Sequence, residues 1–223
     1  MEALGAVFLP CAGWRQGNTW IHAGIVEVNT KYLGSYWSCS TPQISNDYYF
    51  FRFTQQEIRK FPLNNSLSLL ARGRSVRLVH DTIVPKPPKR IGVFSVAADK
   101  KVSFSQGNLQ YTQSTDTWQF AREQYEYIGA ENIKDGALAD KIDLFGWSGK
   151  DSKVPYGVGV SSNYKDYQGE FVDWGTKLIH GDAKDTWRTL SIEEWEYIYH
   201  GRKNADQLLA IATLEGVPGL ILL

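Results

Sequence analysis

Apolar residues in this chain cluster in short runs bounded by Gly, Pro, Asn, Asp or Ser, a pattern of short strands more than of long helices. Asp47–Phe53 reads as an aromatic-rich strand, followed by a turn or short helix over Gln55–Lys60. Ser75–His80, apolar at alternate positions, and Lys101–Ser105 are further strands. Asn108–Tyr111 is expected to pair with Thr117–Phe120 through a turn at 112–116. Residues 121–135 read as helical or turn-like. Val154–Trp174, rich in Gly, Ser and Asn, is expected to be a long loop packed by Tyr156, Tyr164, Tyr167, Phe171 and Trp174. Gly219–Leu223 is strand-like after a turn at Glu215–Gly219, and no internal repeat is visible.

One segment carries a helical signal. Ser191 can cap a helix whose third residue, Glu194, reaches back to the cap backbone, while Leu190 can pack on Trp195 as a hydrophobic staple. Trp195, Ile198 and Tyr199 then fall on one stripe, and Gly201 offers a stop. Glu193, Glu194 and Glu196 are accounted for by capping and by the helix dipole, which leaves no acid–base set among them.

With 24 basic and 24 acidic residues, the formal net charge is zero, which gives no bulk attraction to nucleic acid or to an anionic membrane. No run is long enough to span a bilayer. The opening Met1–Leu9 has no basic region and its apolar run ends at Pro10, so it does not read as an export signal. Eight Trp, twelve Tyr and ten Phe suit small sheets with packed loops and also a contact surface. Cys11 and Cys39, with His22, His80, His180 and His200 scattered singly, form no metal-ligand spacing, and the two thiols are expected to be free and partly buried. Ile83–Arg90, with three prolines and three basic residues, reads as an extended linker.

The segment Trp187-Arg-Thr-Leu-Ser-Ile-Glu-Glu-Trp-Glu-Tyr197 resembles a signature of the formylglycine-generating (sulfatase-modifying factor) superfamily, in particular its non-catalytic surface paralogues from Bacteroidetes and Fibrobacter. Val102–Tyr111 and Asp143–Trp147 resemble the opening of such a domain. Phe8–Arg15, Tyr36–Pro42 and Arg74–Val79 resemble its end. The resemblance implies an α+β, C-type-lectin-like fold: short twisted antiparallel sheets, one or two helices and long packed loops. It also implies a permuted or truncated order, with a closing half at 1–82, a linker at 83–91 and an opening half at 92–223. The halves are expected either to pack as one permuted domain or to belong to two tandem domains. The apolar run at each end of the chain favours interruption.

What the resemblance implies for function is recognition or adhesion at a bacterial cell surface. The partner would be a protein or carbohydrate ligand, with neither nucleic acid nor membrane insertion involved. Relatives are exported, so an extracellular or surface location is expected although this chain carries no export signal. The closing half bears the ligand-facing loops in that fold, which nominates Tyr36, Trp37, Tyr48, Tyr49 and Arg52, and Asn18, Trp20 and His22, after Gly13-Trp-Arg15, are better placed for a surface role if that segment is a loop. One strand face must be buried, so Trp37 and alternate members of 48–53 also read as core. Formylglycine-generating enzymes carry a close cysteine pair near the domain's end. Here that region has Cys39 alone, with Cys11 just before it, so no catalytic residue and no oxidase activity is carried over. A gene fragment without independent function is the alternative. No cofactor is expected. Structural calcium enters by resemblance only, and Asp140, Asp143, Asp166 and Asp173 read as ordinary loop and cap residues.

Overall fold

A computed structural model describes residues 5–21, 33–40, 48–54, 58–62, 67–82 and 91–223. Its first stretch holds β1 (Val7–Pro10), β2 (Trp14–Gln16), β3 (Thr19–Ile21), β4 (Leu33–Trp37), β5 (Tyr49–Thr54), β6 (Ile58–Pro62), β7 (Arg72–Gly73) and β8 (Leu78–Asp81). Beyond 83–90 come β9 (Ile91–Ser95), β10 (Lys101–Phe104), β11 (Leu109–Thr112), β12 (Thr117–Phe120), β13 (Ile133–Lys134), β14 (Ala137–Leu138) and β15 (Lys141–Ile142). The chain closes with β16 (Arg188–Thr189), α1 (Ile192–Glu196), β17 (Leu209–Leu214) and β18 (Val217–Leu222). All strand pairs in these sheets are antiparallel. The protein is thus a mixed α and β chain of short antiparallel sheets with one short α-helix among the described residues.

Two sheets join the stretches on either side of 83–90. β1 pairs with β18, which pairs in turn with β17, and β8 lies between β16 and β10, with β9 at the far edge. Smaller sheets stand in the orders β3-β2-β7, β4-β5-β6 and β12-β11-β15. The expected hairpin of β11 and β12 has Leu109 opposite Phe120 and Thr112 opposite Thr117. The strand expected over Asp47–Phe53 is β5. The turn or short helix expected over 55–60 is corrected in its second half: Ile58–Pro62 is a strand paired with β5, with Ile58 opposite Phe53. Residues 41–47 and 55–57 lie outside the described residues.

Among the described residues two large apolar clusters fill the interior, each drawing on both stretches, and a small third one joins Trp14, Leu33 and Ile21. In the first, Phe51 of β5 stacks on Trp195 of α1 with ring centroids 4.7 Å apart, beside Tyr36, Phe53, Phe104 and Ile198. In the second, Trp37 meets Trp147 edge-on at 5.5 Å, and its indole N–H donates to the Phe145 carbonyl at 2.7 Å. Tyr167 and Trp174 in the long 154–174 loop are fully buried, while Tyr156, Tyr164 and Phe171 pack against the same cluster. The loop is compact because its aromatics are core residues, and only short turns at 155–157, 164–166 and 174–176 interrupt it.

The helix start is built as its sequence specifies. The Ser191 hydroxyl accepts from the Glu194 N–H at 3.2 Å, and the Glu194 carboxylate accepts from the Ser191 N–H at 3.0 Å. Leu190 and Trp195 lie in one core cluster. The end differs from the expected glycine stop: after Glu196 the chain runs into a π-helical turn over Tyr197–Gly201, and Gly201 is not left-handed. A Cβ at Gly201 would lie 2.6 Å from the Tyr197 ring, so glycine is needed there for space. Glu194 also receives both Nη atoms of Arg188 at 2.7 and 2.8 Å and Lys100 Nζ at 2.9 Å, and Arg188 donates onward to Asp81 of β8. Burial alone would raise the Glu194 carboxyl; these donors outweigh it and hold it below its ordinary value.

Ser191→Ala is expected to cost about 1 kcal/mol, the usual worth of a cap. Glu194→Ala is expected to cost about 2–3 kcal/mol, because it removes the second half of the box and strips Arg188 of one carboxylate. Urea unfolding of the two variants checks the ranking.

Candidate functional site

The small sheet β3-β2-β7 carries a cleft of about 540 Å³ on its edge, lined by Gln16, Gly17, Asn18, Thr19, Ile21, Gly136, Val160 and Ser162. Three loops form its walls. The first is the two-residue turn Gly17-Asn18, set by the opposition of Gln16 and Thr19. Gly17 has φ of 56°, the glycine-first geometry that two-residue hairpins favour. The second is the turn Asp135-Gly136 between β13 and β14, in which both residues have positive φ, 52° and 77°. The third is the run 158–162.

Buried groups fix each wall from below. Arg15, fully buried on the opposite face of β2 from Gln16, donates through Nε to the Leu144 carbonyl at 3.0 Å. Its Nη atoms reach the Gly17 and Gly157 carbonyls, each at 3.3 Å. One guanidinium therefore ties the hairpin to two other loops, and burial lowers its pKa because desolvation opposes the charged form. The Tyr167 hydroxyl lies within 3.0 Å of both the Gly159 and Ser161 carbonyls and so holds the third wall. Asp143, fully buried, accepts from the Ile128 N–H and from Asn132 Nδ2, each at 2.7 Å. Asn132 Oδ1 accepts in return from the Asp143 and Leu144 N–H groups. This clamp holds the short turn 129–132 that leads into β13.

The eight residues nominated from sequence part company here. Asn18 is exposed and lines the cleft. Trp20 is half-buried on the other face, donating to the Ala12 carbonyl at 3.2 Å, with its ring 3.5 Å from where a Cβ on Gly129 would stand. It braces the site and is not among its lining residues. His22 lies outside the described residues. Tyr36 is corrected to a core residue, 0% exposed, its hydroxyl donating to the Pro10 carbonyl, and Trp37, 1% exposed, takes the core position that its strand also allowed, held by Phe145 and Trp147. Tyr48 packs edge-on against Trp147 at 4.7 Å, and Tyr49 packs on the first core cluster. Arg52, in β5 opposite Ser35, stands apart from the cleft lining.

Gln16, Thr19, Gly136, Val160 and Ser162 carry no nomination from sequence. The Asp135-Gly136 dipeptide between Ile133 and Leu138 is nonetheless a readable hairpin signal. That it faces the Gly17-Asn18 turn depends on tertiary contacts through Arg15 and Asn132. The cysteines are free, and burial pushes both thiols up to about 12. Among the described residues no group of three or more His, Cys, Asp or Glu side chains is placed to hold a metal ion. Asp140 accepts from the Ser114 N–H and hydroxyl, Asp166 from the Ser161 hydroxyl, and Asp173 caps Gly175 and binds Thr189. No helix among the described residues is long and apolar enough to cross a membrane.

Burial raises the Asp143 carboxyl from 3.8 to about 6, despite the N–H donors that favour its ionised form. The native state therefore holds this proton more tightly than the unfolded chain. Its contribution is fully present below about pH 4 and lost as pH rises through about 6, a difference on the order of 2–3 kcal/mol. In melting experiments the stability of the wild type relative to Asp143→Asn should fall across about pH 4–6 and level off above it; a flat difference would contradict this. Comparisons of the chain with protein-family models, curated proteins and solved structures find no match.

Proposed function

We propose that this chain is a non-catalytic recognition module, a C-type-lectin-like member of the formylglycine-generating superfamily displayed at a bacterial cell surface, whose ligand is a saccharide. The observation that carries the ligand class is the lining of the cleft. Gln16 and Asn18 amides with Thr19 and Ser162 hydroxyls can each both donate and accept, as paired sugar hydroxyls require. Ile21 and Val160 add apolar patches for the C–H face of a ring, and the volume falls in the range of small-ligand sites. The described lining residues are amides, hydroxyls and small or apolar groups, which furnish the cleft for hydrogen bonding.

Other observations support parts of this reading. Thiols raised to about 12 stay protonated at neutral pH, which is unsuited to an oxygen-activating cysteine centre. The pairing of β1 with β18, and of β8 with β10 and β16, favours one permuted domain over two tandem fragments.

A glycan array with the wild-type chain identifies a neutral saccharide for titration calorimetry. Asn18→Ala, which removes one donor and acceptor, and Ser162→Trp, which fills an exposed wall, should each weaken binding roughly tenfold or more with an unchanged melting transition. Binding that survives both substitutions at full strength would remove the cleft as the site.

A further inference from the structure

The outer face of the same small sheet carries a second feature. In antiparallel pairing, opposed residues and alternate residues along a strand share a face. Gln16 stands opposite Arg72 in the β2–β7 pair, so Arg72 shares its face with Gln16 and Trp14. Its guanidinium lies 4.2 Å from the centre of the Trp14 ring. Arg74, two residues on, is 3% exposed and lies over Phe50 at 3.5 Å and Trp37 at 5.0 Å, with Nη1 donating to the Ser35 hydroxyl.

Neither cation has an anionic partner among the described residues, and the buried Nε atoms of both Arg72 and Arg74 are without a hydrogen-bond acceptor there. Burial first, then the nearby charges of Arg72 and Arg52, hold the Arg74 pKa well below its ordinary value. The protein thus keeps like charges close together in partly dry surroundings, an arrangement that costs free energy unless an anion relieves it. Aromatic faces offset part of that cost and fix the planes of both guanidiniums. Arginine's planar fork suits the oxygens of a carboxylate or sulfate.

We propose that Arg72, backed by Arg74, forms an oxyanion subsite beside the cleft, so that the saccharide bound there is an acidic one, bearing a sulfate or carboxylate group. The assignment rests on the cleft being the saccharide site, and the two ideas fail separately. Arg72 supplies the accessible contact, since it is only half-buried, while Arg74 supplies the positive field behind it. The neighbouring Trp14 ring makes the subsite observable by fluorescence.

The first test uses inorganic sulfate alone, titrated against chloride at constant ionic strength. Sulfate should raise the melting temperature and perturb tryptophan emission in the wild type and in Ser162→Trp, but not in Arg72→Gln. No response in the wild type, or an undiminished one in Arg72→Gln, overturns the subsite whatever the cleft binds. The second test compares sulfated, uronic-acid-bearing and neutral forms of one oligosaccharide. The wild type should prefer one acidic form by roughly tenfold or more, as one charge-assisted contact gives, and Arg72→Gln should lose the preference. Which acidic form is favoured separates sulfate from carboxylate as the natural group. Equal affinity for all three overturns the proposal. Arg72→Lys guards against a folding artefact: it keeps the charge but not the fork, and a preference reduced yet present supports the subsite, whereas one equal to the wild type's overturns the role of the fork.

Discussion

Closure of apolar faces across the 83–90 segment is the constraint on which the rest of the structure depends. β1 is 4 residues long and its side chains are buried throughout, yet its sheet partner among the described residues is β18, at the other end of the chain. β8 likewise completes its ladder with β10 and β16. The stack of Phe51 on Trp195 and the contact of Trp37 with Trp147 join the same two stretches in the interior. Each stretch taken alone would expose large aromatic faces and unpaired strand edges to water, which is the state that a packed interior avoids. The loops that form the cleft are held in place only because this closure has occurred: Arg15 comes from one stretch, and Leu144 and Gly157 come from the other.

What can be read in the sequence follows from how local each signal is. The capping box at Ser191 and Glu194 needs only four consecutive residues, and it is present in full. The hairpin of β11 and β12, the strand over 49–54 and the aromatic packing of 154–174 are also encoded by neighbouring residues. The π-helical turn at Tyr197–Gly201 is invisible in the sequence, because its geometry answers to how Ile198 and Tyr199 must enter the core and not to any propensity. The strand at Ile58–Pro62 is hidden for a similar reason: its charged residues disguise a β ladder that β5 imposes.

The candidate site is legible only in part. Asn18 is nominated as part of the segment after Gly13-Trp-Arg15 read as a loop, and it does stand in a turn, where side chains reach solvent. Tyr36 misleads as a surface candidate and Trp37 admits both readings, since an aromatic residue carries the same letter whether it contacts a ligand or fills a core. Their hydroxyl and indole N–H groups are spent on the Pro10 and Phe145 carbonyls, which is how buried Tyr and Trp are usually satisfied. Arg72 carries no sequence signal at all. Its meaning lies in what surrounds it, and those neighbours are brought from β2, β4 and β5.

The interior arginines provide an internal standard for judging that environment. Arg15 spends its donors on three carbonyls, Arg77 on the side-chain oxygens of Asn108 and Gln124, and Arg188 on the carboxylates of Asp81 and Glu194. In each case the chain supplies at least two acceptors to a guanidinium that it withdraws from water. From the described residues, Arg74 receives one hydroxyl and two aromatic faces, and Arg72 receives one aromatic face. The same fold therefore gives three arginines two or more side-chain or carbonyl acceptors each, Arg77 keeping only its buried Nε without a partner among the described residues, and seats two neighbouring ones chiefly on rings. Rings orient a guanidinium without consuming its in-plane N–H donors. Those donors are what an oxyanion would take, and Arg72 presents them on the sheet face it shares with Gln16 of the cleft.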